Sequence, residues 1–126
     1  VVLKDHFRCA PELINFSNMQ FYHGRLNPLR LPSSSERMTP SILDVFVRRG
    51  RKVGKINVAE CETIVRMIQD MIETGNPHTP PRSIGIICLI GNEQSRMIRG
   101  RLLDAIGPKK YSEHNLAVGE PPAFQG

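Results

Sequence analysis

Phosphate chemistry is the first possibility the side chains raise, because Gly50-Arg51-Lys52-Val53-Gly54-Lys55 combines glycines with a lysine as nucleotide-cradling loops do. Spacing rules it out. Such a loop needs four residues between its glycines and a Ser or Thr after the Lys to hold magnesium, whereas three residues separate Gly50 from Gly54 and Ile56 follows Lys55. The cations Arg48, Arg49, Arg51, Lys52 and Lys55 therefore read first as a solvated loop and second as a patch that tracks phosphates. Hydrolytic chemistry finds less support. There is no Gly-x-Ser-x-Gly elbow, and Ser17, Ser34 and Ser95 have no compelling histidine partner, while His6, His23, His78 and His114 are scattered over loops and element ends. Asp and Glu lie mainly on helices and turns and suggest no paired-carboxylate site. Cys9, Cys61 and Cys88 form no Cys-x-x-Cys and have no histidine at zinc-finger spacing, so no structural metal is expected. Cys61 and Cys88 sit in apolar segments and read as core thiols, which suits a reducing, cytoplasmic setting.

Four segments have the strand character needed to position these residues: Val1–Lys4, Ile42–Arg48, Ser83–Ile90 and Asn115–Gly119. The first three each lead into a helical segment. One helix opens at Pro11, a favourable residue for a first turn, and runs to about Phe21. The next is the clearest, since Val58, Cys61, Ile64, Val65, Ile68, Met71 and Ile72 recur at three and four residues and give one apolar face. Asn57 precedes it as an N-cap, Glu60 stands at the capping-box position, and Gly75 and Pro77 end it. The last helix is expected from about Asn92 to Ile106, burying Met97, Ile98, Leu102 and Ile106, leaving Arg96, Arg99 and Arg101 near solvent, and stopping at Gly107-Pro108. From Tyr22 to Pro40 the chain is rich in Pro, Ser and Arg and reads as a surface loop.

Strands alternating with helices imply an α/β fold, a mostly parallel sheet with helices on both faces. Sites in such sheets lie beyond the carboxyl ends of the strands. Arg8, the basic Arg48–Lys55 run, Gly91-Asn92-Glu93-Gln94 and the segment from Gly119 to Gly126 all follow expected strands, so all are expected at one sheet edge. This placement licenses a ligand without naming it.

The length, 126 residues, suits one core, and 40% apolar residues can fill it. No apolar run approaches the roughly 20 residues of a spanning helix, so no membrane partner is expected. Seventeen Lys and Arg against twelve Asp and Glu give +5, which permits a polyanionic partner. The opening Val1 and the phrase ending at Gly126 both read as boundaries within a longer chain.

Three phrases in order carry a resemblance. His6-Phe7-Arg8-Cys9-Ala10-Pro11-Glu12-Leu13, then Phe16-Ser17-Asn18 and Phe21-Tyr22-His23-Gly24-Arg25-Leu26, resemble the opening of the second motor domain in the Upf-like branch of superfamily 1 DNA/RNA helicases. Those domains begin with glutamine-tyrosine-arginine-methionine-x-proline and continue with phenylalanine-tyrosine-x-glycine-x-leucine. Asn57-Val58-Ala59-Glu60 and Ile84-Gly85-Ile86-Ile87 through Gln94 are similar to the family's next helix start and its glycine-x-isoleucine strand. Val118-Gly119-Glu120-Pro121-Pro122-Ala123-Phe124-Gln125-Gly126 is similar to its valine-glycine-threonine-x-x-x-phenylalanine-glutamine-glycine motif. The chain departs from the pattern at His6, Phe7, Cys9 and Glu120, while Arg8 is kept.

The resemblance implies an incomplete RecA-like, P-loop NTPase-like three-layer αβα domain over residues 1–126. It implies that Arg8 reaches the ATP γ-phosphate and is catalytic, that Gln125 and Gly126 border the nucleotide, and that Gln94, Gly91, Asn92 and Gly119 lie toward single-stranded DNA or RNA. ATP and magnesium belong to the parent protein, whose preceding RecA-like motor lobe supplies the other wall; this fragment alone would bind neither and would be inactive. Without the resemblance, a non-catalytic Rossmann-like interaction module and a small flavodoxin-like binder of a phosphorylated ligand also suit the residues. For Arg8 the simpler role is a surface ion pair with Asp5 or Glu12. For Gln94 it is a plain first-turn helix residue, and for Gly91 backbone freedom at a turn.

Overall fold

The computed structural model describes residues 3–33 and 37–125. They form two compact units, Val1–Val45 and Phe46–Gly126.

The first unit is one β-α-β crossover. Strand β1 (Asp5–His6) leads through helix α1 (Pro11–Phe21) to strand β2 (Asn27–Pro28), which lies parallel to β1. Pro11 opens the helix as its type predicts, and the first-turn N–H of Leu13 and that of Ile14 both reach the Ala10 carbonyl. Asn27 N–H donates to the Lys4 carbonyl at 2.7 Å and Leu29 N–H to that of His6 at 2.8 Å. Successive N–H groups along a strand point to opposite sides, so Pro28, between them, lacks a donor only on the side away from β1. The expected opening strand, Val1–Lys4, begins outside the described residues, and the ladder found is shifted toward Asp5–His6. The expected loop from Tyr22 to Pro40 contains β2.

The second unit holds the core. Its helix α2 (Val58–Glu73) precedes a second β-α-β crossover made of strand β3 (Gly85–Ile87), helix α3 (Gly91–Glu113) and strand β4 (Ala117–Gly119). β3 and β4 are parallel and paired Gly85 to Ala117, Ile86 to Val118 and Ile87 to Gly119. Cys61 and Ile68 from α2 meet Ile98 and Leu102 from α3, with Cys88, Leu116 and Val118 completing the buried cluster. Ile64, Val65, Ile72, Met97 and Ile106 pack around it, as the three-and-four periodicity requires, whereas Val58 and Met71 at the margins of the stripe remain exposed.

Both sheets are parallel pairs bridged by helices, an α/β architecture consistent with a RecA-like, P-loop NTPase-like fragment. Three expectations are corrected. Ile42–Arg48 forms no strand, because an apolar run becomes one only where a neighbouring strand offers its hydrogen bonds, and no described strand pairs with it. The expected single sheet is two separate pairs. The helix expected to stop at Ile106 does break, since Gly107 adopts φ 77° and ψ 161°, but a further helical stretch begins at Pro108 and runs to Glu113. Pro108 is suited to that role as the first residue after a break.

Candidate functional site

The loop carrying Arg8 is fixed from two sides. His6 Nε2 accepts the Cys9 N–H at 3.0 Å, so His6 shapes the turn between β1 and α1. Arg30 Nη1 donates to the Arg8 carbonyl at 2.9 Å, tying that turn to the chain just beyond β2. Arg8 itself is exposed, and among the described residues it forms no ion pair with Asp5 or Glu12. Asp5 instead receives the Asn27 side-chain amide at 3.2 Å.

In the same unit a buried carboxamide takes the place of a core. Asn18 is 8% exposed; its Nδ2 donates to the Leu26 carbonyl at 3.0 Å, and its Oδ1 accepts the Leu26 N–H at 2.9 Å. One side chain thereby reads the donor and acceptor of one residue as a neighbouring strand would. No local signal in the sequence marks this role, since Asn18 is one of several polar residues along α1, with Glu12, Asn15, Ser17 and Gln20.

The second unit repeats the device at its sheet edge. Asn57 caps α2 as its position predicts, its Oδ1 accepting the Glu60 N–H at 3.2 Å. The Asn57 N–H, which a capping-box glutamate would take, goes instead to Gln94 Oε1 at 2.8 Å, and Gln94 Nε2 donates to the Asn57 carbonyl at 3.1 Å. Gln94 is 7% exposed with both ends of its amide engaged, so in this structure it joins the start of α3 to the start of α2.

Around that clasp lies the edge formed by the carboxyl ends of β3 and β4. Gly91 follows β3 with φ +67°, a conformation that explains glycine there, and a Cβ would touch the Lys55 side chain at 3.4 Å. Asn92 is exposed, with its carbonyl accepting the Ser95 hydroxyl at 2.9 Å. Gly119 ends β4, and its carbonyl accepts the Cys88 N–H at 2.8 Å. A cleft of about 260 Å³ opens here, with Lys52, Lys55, Asn57, Leu89, Ile90 and Gln94 in its walls. The structure thus brings Gly91, Asn92, Gln94 and Gly119 to one edge together with part of the basic run. Arg48 and Arg49 line a different groove. Arg8 belongs to the first unit, Gln125 is exposed after the last turn, and Gly126 lies outside the described residues.

Two further residues shape this edge. Phe124, in the 3-10 turn Pro121–Phe124, lies over β3 and β4: a Cβ at Gly85 would stand 3.1 Å from its ring and one at Gly119 3.7 Å from it. The ring needs the glycine at Gly85, whereas at Gly119 the tight neighbour of a Cβ would be the Ala123 side chain at 3.1 Å, so Phe124 has a packing role against β3. Arg99, exposed as expected, also donates from Nη2 to the Val118 carbonyl at 2.7 Å and fastens α3 to β4.

The buried thiols complete the electrostatics. Burial pushes the Cys61 thiol above its ordinary 9.0, partly offset by Arg101, and burial raises Cys88 as well, with Glu60 and Glu120 adding to the effect. Neither is suited to act as a thiolate nucleophile. Among the described residues no three His, Cys, Asp or Glu are grouped to hold a metal, and no helix is long and apolar enough to cross a membrane.

A family described as AAA domain matches the chain over residues 1–126. The chain belongs to that family. The match places this AAA domain among helicase-associated, NTPase-related regions of the kind found toward the C-terminus of superfamily 1 helicases. No curated protein and no solved structure matches it.

Proposed function

We propose that this AAA domain supplies one wall of the ATP cleft and part of the single-strand track in an ATP-dependent DNA or RNA helicase or translocase. A preceding RecA-like motor lobe contributes the other wall, including the phosphate-cradling loop and the magnesium ligands. The observation that carries the reading is Arg8, exposed and without a carboxylate partner among the described residues, on a turn anchored through His6 and Arg30. A guanidinium held outward on a fixed backbone at the end of a strand is suited to the γ-phosphate of ATP in the facing lobe. Bound ATP supplies the phosphoryl group for transfer to water. Arg8 would stabilise negative charge on its oxygens, while Gln125 and Gly126 would border the nucleotide. The Gly91 and Asn92 N–H groups opening α3 and the end of β4 at Gly119 would meet the strand's backbone. Gln94, holding Asn57, would keep that edge in shape.

Arg8→Ala in the helicase that carries this domain tests the reading. ATP turnover at saturating nucleotide and strand should fall by about 10³-fold or more, with strand affinity nearly unchanged. Lysine should restore little, because it lacks the planar fork. Turnover within a few-fold of the parent would assign Arg8 to the surface. The 126-residue chain alone should show no strand-stimulated ATP turnover.

The exposed Leu13, Phe16 and Phe21 of α1 favour a second reading, an interaction module in which this helix docks on another protein layer.

A further inference from the structure

The basic run from Arg48 to Lys55 is divided between two openings. Lys52 and Lys55 belong to the cleft beyond β3, whereas Arg48 and Arg49 line a groove of about 410 Å³ beside α2. The groove is built rather than incidental. Gly50 N–H donates to the Val47 carbonyl at 2.8 Å, closing a tight turn with Arg48 and Arg49 at its corners. A Cβ at Gly50 would lie 2.9 Å from that carbonyl and 3.3 Å from the Asn57 side-chain amide, so the turn is pressed against the cap of α2 and its shape is set. Across from it α2 contributes Ala59, Glu62, Thr63 and Arg66, residues three and four apart on one face.

The chemistry of the lining is uneven. Three arginines, Arg48, Arg49 and Arg66, stand against one carboxylate, Glu62, and among the described residues none of these four forms an ion pair. Thr63 is satisfied within the helix, its hydroxyl donating to the Ala59 carbonyl at 2.9 Å. Phe46 borders the arginines and is 84% exposed, an aromatic face left in water. Guanidinium groups around an open aromatic ring are what single-stranded nucleic acid uses: phosphates pair with the cations and a base stacks on the ring. An acidic peptide would use the arginines and leave Phe46 without a partner.

We infer that this groove is an additional contact for single-stranded nucleic acid, in which Phe46 stacks on a base and Arg48, Arg49 and Arg66 hold the neighbouring phosphates. The inference rests on the strand-binding reading above but uses none of its residues.

Binding of a short fluorescein-labelled oligothymidylate to the whole chain, followed by anisotropy across a salt series, tests it. Replacing Arg48, Arg49 and Arg66 together by Ala should weaken binding and reduce the slope of log K against log salt by about 2, at roughly 0.7 for each phosphate contact. The triple lysine variant should keep the slope. Phe46→Ala should weaken binding about fivefold or more without changing the slope, as loss of one stacked base requires. A triple alanine variant with the parent slope, while Asn92→Ala weakens binding, would overturn this inference alone. Absence of binding by the parent chain would overturn it together with the strand-binding reading. Displacement of the strand by polyglutamate as readily as by an oligonucleotide of equal charge would overturn it in favour of an acidic peptide.

Discussion

The two β-α-β crossovers of this chain have the same order and the same parallel pairing, yet they are held together differently. In the second unit, α2 and α3 bury Cys61, Ile68, Ile98 and Leu102 against the β3–β4 pair. In the first, no described apolar side chain is buried; Leu13, Phe16, Met19 and Phe21 of α1 and its end are all exposed, and the buried residue is the polar Asn18. The same topology can therefore be specified by a two-bond ladder and one carboxamide, or by a packed layer. The difference is the second helix. A crossover leaves one helix face and one sheet face to be covered, and α2 provides that cover in the second unit.

The sharpest way to break this comparison is to remove apolar volume from each unit in turn. Leu102 is 0% exposed, and Leu102→Ala should cost about 2–5 kcal/mol through lost burial and the cavity left behind. Phe16 is 69% exposed, and Phe16→Ala should change stability by no more than about 0.5 kcal/mol despite removing a larger side chain. Urea unfolding followed by circular dichroism reads both. Comparable losses would show that the first unit has a buried apolar core in solution.

How much of this was legible follows the same division. The faces of α2 and α3, the Asn57 cap, the break at Gly107 and the two core thiols all come from local periodicity or the properties of single residues. Strand pairing does not. A two-residue strand has no alternation to detect, and Pro28 argues against one until its missing donor is seen to point away from β1. Ile42–Arg48 has strand composition and no partner. At the site, glycine freedom at Gly91 was readable from type, but the Gln94 clasp joins residues 37 apart in sequence, and the two glycines beneath Phe124 become neighbours only when β3 and β4 pair.

The two carboxamide clasps sharpen the comparison with smaller effects. Asn18→Asp and Gln94→Glu preserve shape and the accepted N–H but lose the donor to Leu26 and Asn57, leaving each carbonyl facing a carboxylate. Each change should cost about 1–3 kcal/mol locally. Gln94→Glu should lower the unfolding midpoint of the cored unit. Asn18→Asp should chiefly speed hydrogen exchange at the Leu26 amide, leaving that midpoint in place, because opening the first crossover exposes little apolar surface. Equal shifts of the midpoint would mean that the two units unfold as one.

The smallest expected effect concerns pH, and it separates the units by the environment of their cysteines. Cys61 and Cys88 are 1% and 6% exposed, and burial favours their neutral thiols, so both titrate above the ordinary 9.0 in the folded chain. Below that pH both thiols are protonated in the folded and unfolded states alike, and their contribution to stability is fully present. Above it the unfolded chain loses these protons first, so stability should fall as pH rises through the higher folded values. Replacing both residues by Ala should flatten that part of the profile, although the cavities lower stability at every pH. Cys9, only half-buried in the first unit, supplies the internal control. A thiol reagent at neutral pH should modify Cys9 in the native chain, while Cys61 and Cys88 should react at the rate at which the second unit opens, accelerating with urea. Native-state labelling of Cys61 as fast as that of Cys9 would remove the distinction between a cored and an uncored crossover.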